Sequence, residues 1–395
     1  MSPRLKGFLA ALPLRIACAA GIWYCYRIAL ADRLGREQTE ESLRAAIEVR
    51  PNHYLYHWQL GQVPSPDSRR LLERAIELNP YNAGPMVDLA TSLELGGDPA
   101  GAERLLLRAN EVDRTYFPKW SLANFYFRQE RPDDFWKWAR RAAEVGSEDM
   151  SALFSLAHRL ESAPAAVSRD LVPDRKAAVG SYIHYLLRVR KDVPLELAVR
   201  AIPLLRAGED SVLWDAAEQM LGQGRYDDLS QFWERAAQAG RVATGEGLQQ
   251  LGRKTVQTAL DWRVFQNHDV FPTPGPAGVE IILGGAHGEN LLLLERKVLV
   301  EPLSRYEVVC VGEAIDFNRA TGLRWRVVAA GREVNGPSIA QGTFNQRFEF
   351  RTKPGERLVS LQLVAIRETG SIKPKGTVRL VSAGLVPSGT GGTER

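Results

Sequence analysis

His57-Trp58-Gln59-Leu60-Gly61, Met86-Val87-Asp88-Leu89-Ala90, Lys119-Trp120-Ser121-Leu122-Ala123 and Leu153-Phe154-Ser155-Leu156-Ala157 are four versions of one phrase, each closing on leucine and a small residue. Successive Leu-small pairs stand 29, 33 and 34 residues apart. Self-similarity at such a period marks an array of stacked supersecondary units. Between the phrases a second pattern recurs, in Arg70-Leu71-Leu72-Glu73-Arg74-Ala75-Ile76, in 102–109 and in 135–142. In each, most apolar residues fall three or four apart, as one face of a helix requires. Each repeat therefore reads as two antiparallel helices.

The small residues have a steric purpose. Gly61, Ala90, Ala123 and Ala157 stand where the first helix must approach the second, and Ala75, Ala109 and Ala142 where the second meets the next repeat. Pro51 and Pro80, each followed closely by asparagine, stop one helix and launch the next repeat, because proline cannot continue the hydrogen-bond ladder. Gly96-Gly97-Asp98-Pro99 and Gln129-Glu130-Arg131-Pro132 read as turns inside two repeats. On these residues the segment resembles the tetratricopeptide repeat family: the Leu-small pairs, Ala102, Ala109 and Pro80 fall where that family's pattern expects them. The first repeat is shortened, and the aromatic residue expected three positions before the leucine is missing in most copies. The resemblance implies a solenoid of helical pairs whose concave surface takes an extended peptide or a partner's helix.

Beyond Glu161 the pattern weakens but stays helical. Ser181–Arg188 pairs with Leu195–Leu205, and Val212–Leu221 with Tyr226–Ala239 across a Gly222-Gln223-Gly224 turn. The expected solenoid covers 34–255. Its third repeat is unusually aromatic: most of those rings are expected in the core, while Tyr116, Trp120, Tyr126 and Trp136 are the candidates for a partner groove.

Around Asp269 the period changes from helical to alternating. Arg347-Phe348-Glu349-Phe350-Arg351 and Val359-Ser360-Leu361-Gln362-Leu363 alternate as half-buried strands do. Further strands are expected at 278–283, 291–300, 306–311, 323–328 and 377–385, separated by turn-rich pieces such as 272–276, 284–288 and 373–376. Seven or eight short strands predict an antiparallel sandwich or jelly roll over 256–388, followed by a disordered tail at 389–395. The fold class is thus multidomain, α then β.

Asp261-Trp262-Arg263, Val298–Pro302 before Tyr306, Leu323–Val327, Arg347–Phe350 and Gly376–Leu380 resemble the carbohydrate-binding-module-like, galactose-binding-type jelly rolls that follow tetratricopeptide repeats in bacterial envelope polysaccharide proteins. This resemblance implies glycan contact, with Trp262 and Trp325 as stacking faces and Arg263, Arg326 and Asn345 as hydroxyl ligands. A single Trp in each of two strands is also what a sandwich core uses. The calcium site of many such domains has no acidic loop here.

Residues 1–33 read three ways. Ile16–Tyr26 is an uncharged run between Arg15 and Arg27, about half the ~20 residues that span a bilayer, which Gly7–Leu14 extends if Arg15 is tolerated. The rivals are a cleaved signal peptide, with Ala29-Leu30-Ala31 as small-x-small pattern, and an ordinary helix packed on the repeats. The anchor is preferred, single-pass in a bacterial inner membrane. Flanking cations nearly cancel, so orientation rests on the short leading tail and large body, which favour a periplasmic body.

The remaining chemistry is exclusion. The chain has 51 basic and 47 acidic residues with no basic block, which argues against a nucleic-acid partner. Three cysteines exclude a disulfide framework. The six histidines show neither an HExxH nor a Cys-His metal spacing, and His53 and His57, the one pair at i, i+4, have no acidic partner nearby; Gly284-Gly285 lacks a phosphate loop's lysine and reads as a hairpin turn, and no nucleophile elbow exists. Asp133-Asp134 and Asp227-Asp228 are expected at helix starts. No catalytic residue, metal or cofactor is therefore expected. The sequence points to a non-enzymatic, membrane-anchored scaffold for a protein partner, with glycan as a second ligand. The alternative is a polysaccharide-acting enzyme whose dispersed carboxylates leave no local motif.

Overall fold

A computed structural model describes residues 3–147, 149–206, 208, 211–242, 258–266, 270–275, 278–286, 288–317, 322–367 and 372–388. The chain divides into two compact units, 1–173 and 174–395. Among the described residues the first holds ten helices: α1 (Pro3–Glu37), α2 (Glu40–Val49), α3 (Tyr54–Gly61), α4 (Ser68–Leu78), α5 (Ala83–Leu95), α6 (Pro99–Val112), α7 (Tyr116–Arg128), α8 (Pro132–Val145), α9 (Ser151–Leu160) and α10 (Pro164–Leu171).

Local chemistry sets these boundaries. Thr39 and Ser42 form a capping box at the start of α2, and Glu40 and Glu41 occupy its first turn. The Asn82 side chain accepts from the Gly84 N–H at 2.9 Å to open α5. Asp98 accepts from the Gly101 N–H at 2.8 Å to open α6, where Pro99 takes the first turn. Pro132 does the same for α8, with Asp133 and Asp134 beside the positive end of its dipole.

Helices pack pairwise as α3 with α4, α5 with α6 and α7 with α8, and the second helix of each of the first two pairs meets the first helix of the next. The small residues behave as their positions require. Ala75, Ala90, Ala102, Ala109, Ala123, Ala142 and Ala157 are wholly buried. A Cβ on Gly61 would stand 2.8 Å from the Leu72 side chain. The result is a tetratricopeptide-like solenoid.

The array starts earlier than expected. The second half of α1 packs on α2, with Ala31, Ala46 and Tyr56 buried together and Leu34, Ile47 and Val49 against them. A Cβ on Gly35 would meet the Tyr56 ring at 2.6 Å. Leu30-Ala31 is a further Leu-small pair, thirty residues before Leu60-Gly61. The anchor boundary at 33 thus lies inside one helix that continues into the first pair. Among the described residues no helix is long and apolar enough to cross a membrane, so the expected transmembrane helix is not found there. Arg15 and Arg27 flank the uncharged run 16–26 of α1.

The second unit opens with α11 (Lys176–Arg188), α12 (Leu195–Leu204), α13 (Ser211–Gly222) and α14 (Tyr226–Gln238), which include both expected pairs. Besides these pairings α12 packs on α14 and α11 on α13. Trp214 lies edge-on to Phe232 and Trp233, at 6.3 and 6.1 Å between ring centres. The expected boundary at 255 and tail at 389–395 lie outside the described residues.

Ten strands follow among the described residues: β1 (Trp262–Val264), β2 (Val270–Gly275), β3 (Gly278–Leu283), β4 (Asn290–Leu299), β5 (Arg305–Ile315), β6 (Leu323–Ala329), β7 (Arg332–Ser338), β8 (Gly342–Arg351), β9 (Leu358–Ile366) and β10 (Gly376–Pro387). Two antiparallel sheets form, ordered β1-β4-β9-β6-β7 and β2-β3-β10-β5-β8. Without the edge strands β1 and β2 this is an eight-stranded jelly roll, in which only the consecutive pair β6 and β7 makes a hairpin within one sheet. Where a hairpin turn was expected at 284–288, the strands on either side, β3 and β4, belong to opposite sheets. Residues 272–275, expected as turn, belong to β2. Its prolines are tolerated because β2 pairs on one side alone. Even-numbered residues of β10 at 378 and 380 and odd-numbered residues of β6 at 323, 325 and 327 point into one shared core.

Candidate partner-binding face

α7 and α8 carry the aromatic residues singled out from the sequence, and the fold sorts them. Phe125, Tyr126, Phe135 and Trp138 are buried. Tyr126 is further committed: its hydroxyl donates to Glu103 at 2.7 Å, and the Arg131 guanidinium lies 4.6 Å over its ring while pairing with Glu103 at 3.0 Å. Burial and the Glu103 bond push the Tyr126 phenol pKa upward. This residue is a joint between α6 and α7, which removes it from the expected partner set.

Tyr116, Trp120 and Trp136 stay half-buried. Tyr116 lines a cleft of 530 Å³ with Thr115, Phe117, Val145, Ser147, Asp149 and Met150. Phe117 is 45% exposed and offers its ring to solvent. Burial, then the Asp149 carboxylate, raises the Tyr116 phenol to about 12, so it remains a neutral donor. Asp149 accepts the Ser151 N–H at 2.8 Å, which orients it at the start of α9. The cleft thus combines apolar walls, one hydroxyl and one carboxylate. Trp136, on α8, stands edge-on to Phe135 at 5.2 Å; Trp120 is on α7.

Sequence reasoning missed the polar joints between repeats. The Trp58 indole N–H donates to Asp88 at 2.6 Å and the Gln62 amide to the same oxygen at 2.9 Å, tying α3 to α5. Glu94 receives the Arg128 guanidinium through two bonds of 3.0 and 2.5 Å and the Gln129 amide at 2.9 Å, tying α5 to α7. Burial alone would raise the Glu94 carboxyl, but these donors outweigh it and hold it below the ordinary range. The period itself was the available signal, since Arg128 follows Glu94 by 34 residues.

The sandwich does not assemble the expected glycan set. Trp262 and Trp325 are both core, edge-on to each other at 5.9 Å, with Trp325 wholly buried. Neither ring face is open to a sugar. Arg263 pairs with Glu218 of α13, which also accepts the Thr258 hydroxyl at 2.6 Å and the Ala259 N–H at 2.7 Å. Arg326 is held by Gln362 at 2.8 Å and by both oxygens of Glu333 at 3.0 Å. Asn345 is exposed on β8, in the other sheet from Arg326. Among the described residues no group of three His, Cys, Asp or Glu could hold a metal ion.

No protein-family model matches the chain, and no curated protein matches it. Solved structures do. A thermophilic TPR protein of Thermus thermophilus is 19% identical over 31% of this chain and 71% of its own, with a TM-score of 0.28. YrrB, a TPR protein with an unusual peptide-binding site, is 12% identical over 51% of this chain and 93% of its own, with a TM-score of 0.27. Human IFIT1, solved as a dimer with PPP-AAAA, is 16% identical over 51% of this chain and 46% of its own, again with a TM-score of 0.27. At these scores the likenesses bring neither partner nor activity to this chain.

Proposed function

We propose that this protein is a membrane-tethered scaffold, in which α1 inserts into a bilayer and the helical pairs hold a protein partner. The observation that carries the reading is α1 itself. Ile22, Trp23, Tyr24 and Tyr26 are more than half exposed, whereas from Ala31 onward the same helix is seated in the first pair. Exposing that much apolar and aromatic surface is costly in water, and Trp and Tyr beside cations are the composition of a membrane-interface belt. Because α1 is unbroken from Pro3, Gly7–Leu14 extends the apolar run N-terminally, with Arg15 the one charge between Phe8 and Cys25.

For the partner, the cleft at Tyr116, Phe117 and Asp149 suits an apolar side chain followed by a cation. A photo-crosslinking residue at Phe117 in the full chain is expected to capture one protein, and the same residue at exposed Arg140 none. Equal capture at both positions refutes the scaffold. Tethering is tested by fractionation: replacing Ile22 and Trp23 by serine is expected to release the chain from membranes, and unchanged retention refutes the tether. We place the body on the periplasmic side of a bacterial inner membrane. Added protease should then degrade it in spheroplasts, and protection there reverses the topology. A role beside envelope polysaccharide rests on sequence resemblance, and the burial of Trp262 and Trp325 takes away its aromatic platform.

A further inference from the structure

Where α1 leaves the first helical pair, a cleft of 350 Å³ opens between it and the turn joining α2 to α3. Tyr24 and Arg27 line it from α1, and Arg50, Asn52 and His53 from the turn. Among the described residues its only charged side chains are the two arginines. Arg27 also donates to the Val49 carbonyl, which occupies one carbonyl at the negative end of α2. α3 begins directly after His53, and its N-cap makes no side-chain bond, so leading amides and the positive end of its dipole adjoin the cleft. His53 Nδ1 is buried and has no hydrogen-bond partner.

Asp32, which faces Arg50 from α1, is already used. It accepts the Tyr56 hydroxyl at 2.5 Å and lies 3.4 Å from Arg50. The neighbouring cleft on α1 differs in kind: Arg33 and Arg36 line it together with Asp32 and Glu37, so its charges balance. Two guanidinium groups, an amide and an imidazole converge in one place without a lining carboxylate, next to the exposed aromatic stretch.

We propose that this cleft binds the phosphate of an anionic lipid headgroup. The inference rests on the tether reading, which brings Tyr24 to the membrane interface and the cleft to headgroup depth. Planar guanidinium forks match phosphate oxygens in pairs, and Asn52 and His53 supply further donors. The lipid source follows from position: the cleft adjoins the surface that the tether reading puts in the bilayer.

The test is flotation of the full chain with vesicles of phosphatidylcholine alone and of phosphatidylcholine with phosphatidylglycerol. Wild type is expected on both, with roughly thirtyfold preference for the anionic vesicles, since each of the two engaged arginines adds about fivefold. Arg27→Gln with Arg50→Gln should lose that preference and still float with neutral vesicles. Arg33→Gln with Arg36→Gln, the same change in net charge, should keep most of it. Equal loss in both pairs shows diffuse attraction and overturns the site. If the glutamine pair melts early, Arg27→Lys with Arg50→Lys replaces it. That pair keeps the charge and loses the forks, so full retention of preference overturns the site. Glycerol phosphate that abolishes the preference at low concentration overturns the lipid as ligand. Neutral binding without preference in wild type sinks this inference alone, while flotation with neither vesicle sinks the tether and this site together.

Discussion

Glu94 shows how much one side chain does in a stacked array. It faces the next repeat, accepts three donors and is nearly enclosed, its side chain 10% exposed. Glu94→Ala should cost about 1–3 kcal/mol, the range for a charged hydrogen bond and an orphaned partner, measurable by urea unfolding. Its folded carboxyl is held low. Its contribution is therefore complete above the ordinary carboxylate range of about 4 and lost as pH falls through the lower folded value. Glu94→Gln should flatten the acid limb of stability against pH, and an unchanged limb contradicts this account. In the sandwich, Trp325→Ala should cost about 3–5 kcal/mol, as removal of a large buried ring does. The site was less legible than the fold at this scale for a physical reason. Residue type does not say which face of a strand or helix a ring will take, so Trp325 and Tyr126 read as binding residues and fold as core.

At the scale of elements the sequence was most informative where two requirements coincide. A Leu-small pair needs both an apolar face and a close approach, and all four quoted pairs fall in first helices. Leu30-Ala31 was overlooked because the apolar run around it reads as a membrane segment. The strands with strict alternation were found, whereas β1, β2 and β7 were not: β1 is only three residues long, and Pro272, Pro274 and Pro337 signal turns unless one knows that their strands are edges. Gly84 offers a test of the joint between α3 and α5. A Cβ there would overlap the Trp58 ring. Gly84→Ala should displace the indole from Asp88, lower the melting temperature of the full chain and change tryptophan emission. Wild-type emission in that variant would show that the ring does not rest there.

At the scale of the molecule, the unit boundary falls within the helical run, so α11–α14 share a unit with the jelly roll. Glu218 of α13 holds the segment leading into β1, and Asp227 of α14 meets Arg357 at 3.1 Å. The second contact is largely in solvent and contributes little; the first is the stronger, because Glu218 is half-buried and accepts from Ala259, Thr258 and Arg263 together. A fragment of residues 174–395 should therefore unfold in one transition at higher temperature than 256–388 alone. Equal melting temperatures would make the helices passengers. The sequence separated α from β and could not foresee this grouping, because side-chain bonds between elements leave no period. α1 has a mechanical consequence as well. A rod of 35 residues is about 50 Å long, and its last turns are gripped by α2 and α3. After Pro13, the one interior proline of α1, no further proline interrupts the helix before the first pair, so a tilt of that stretch is passed on to the bearing of the repeats.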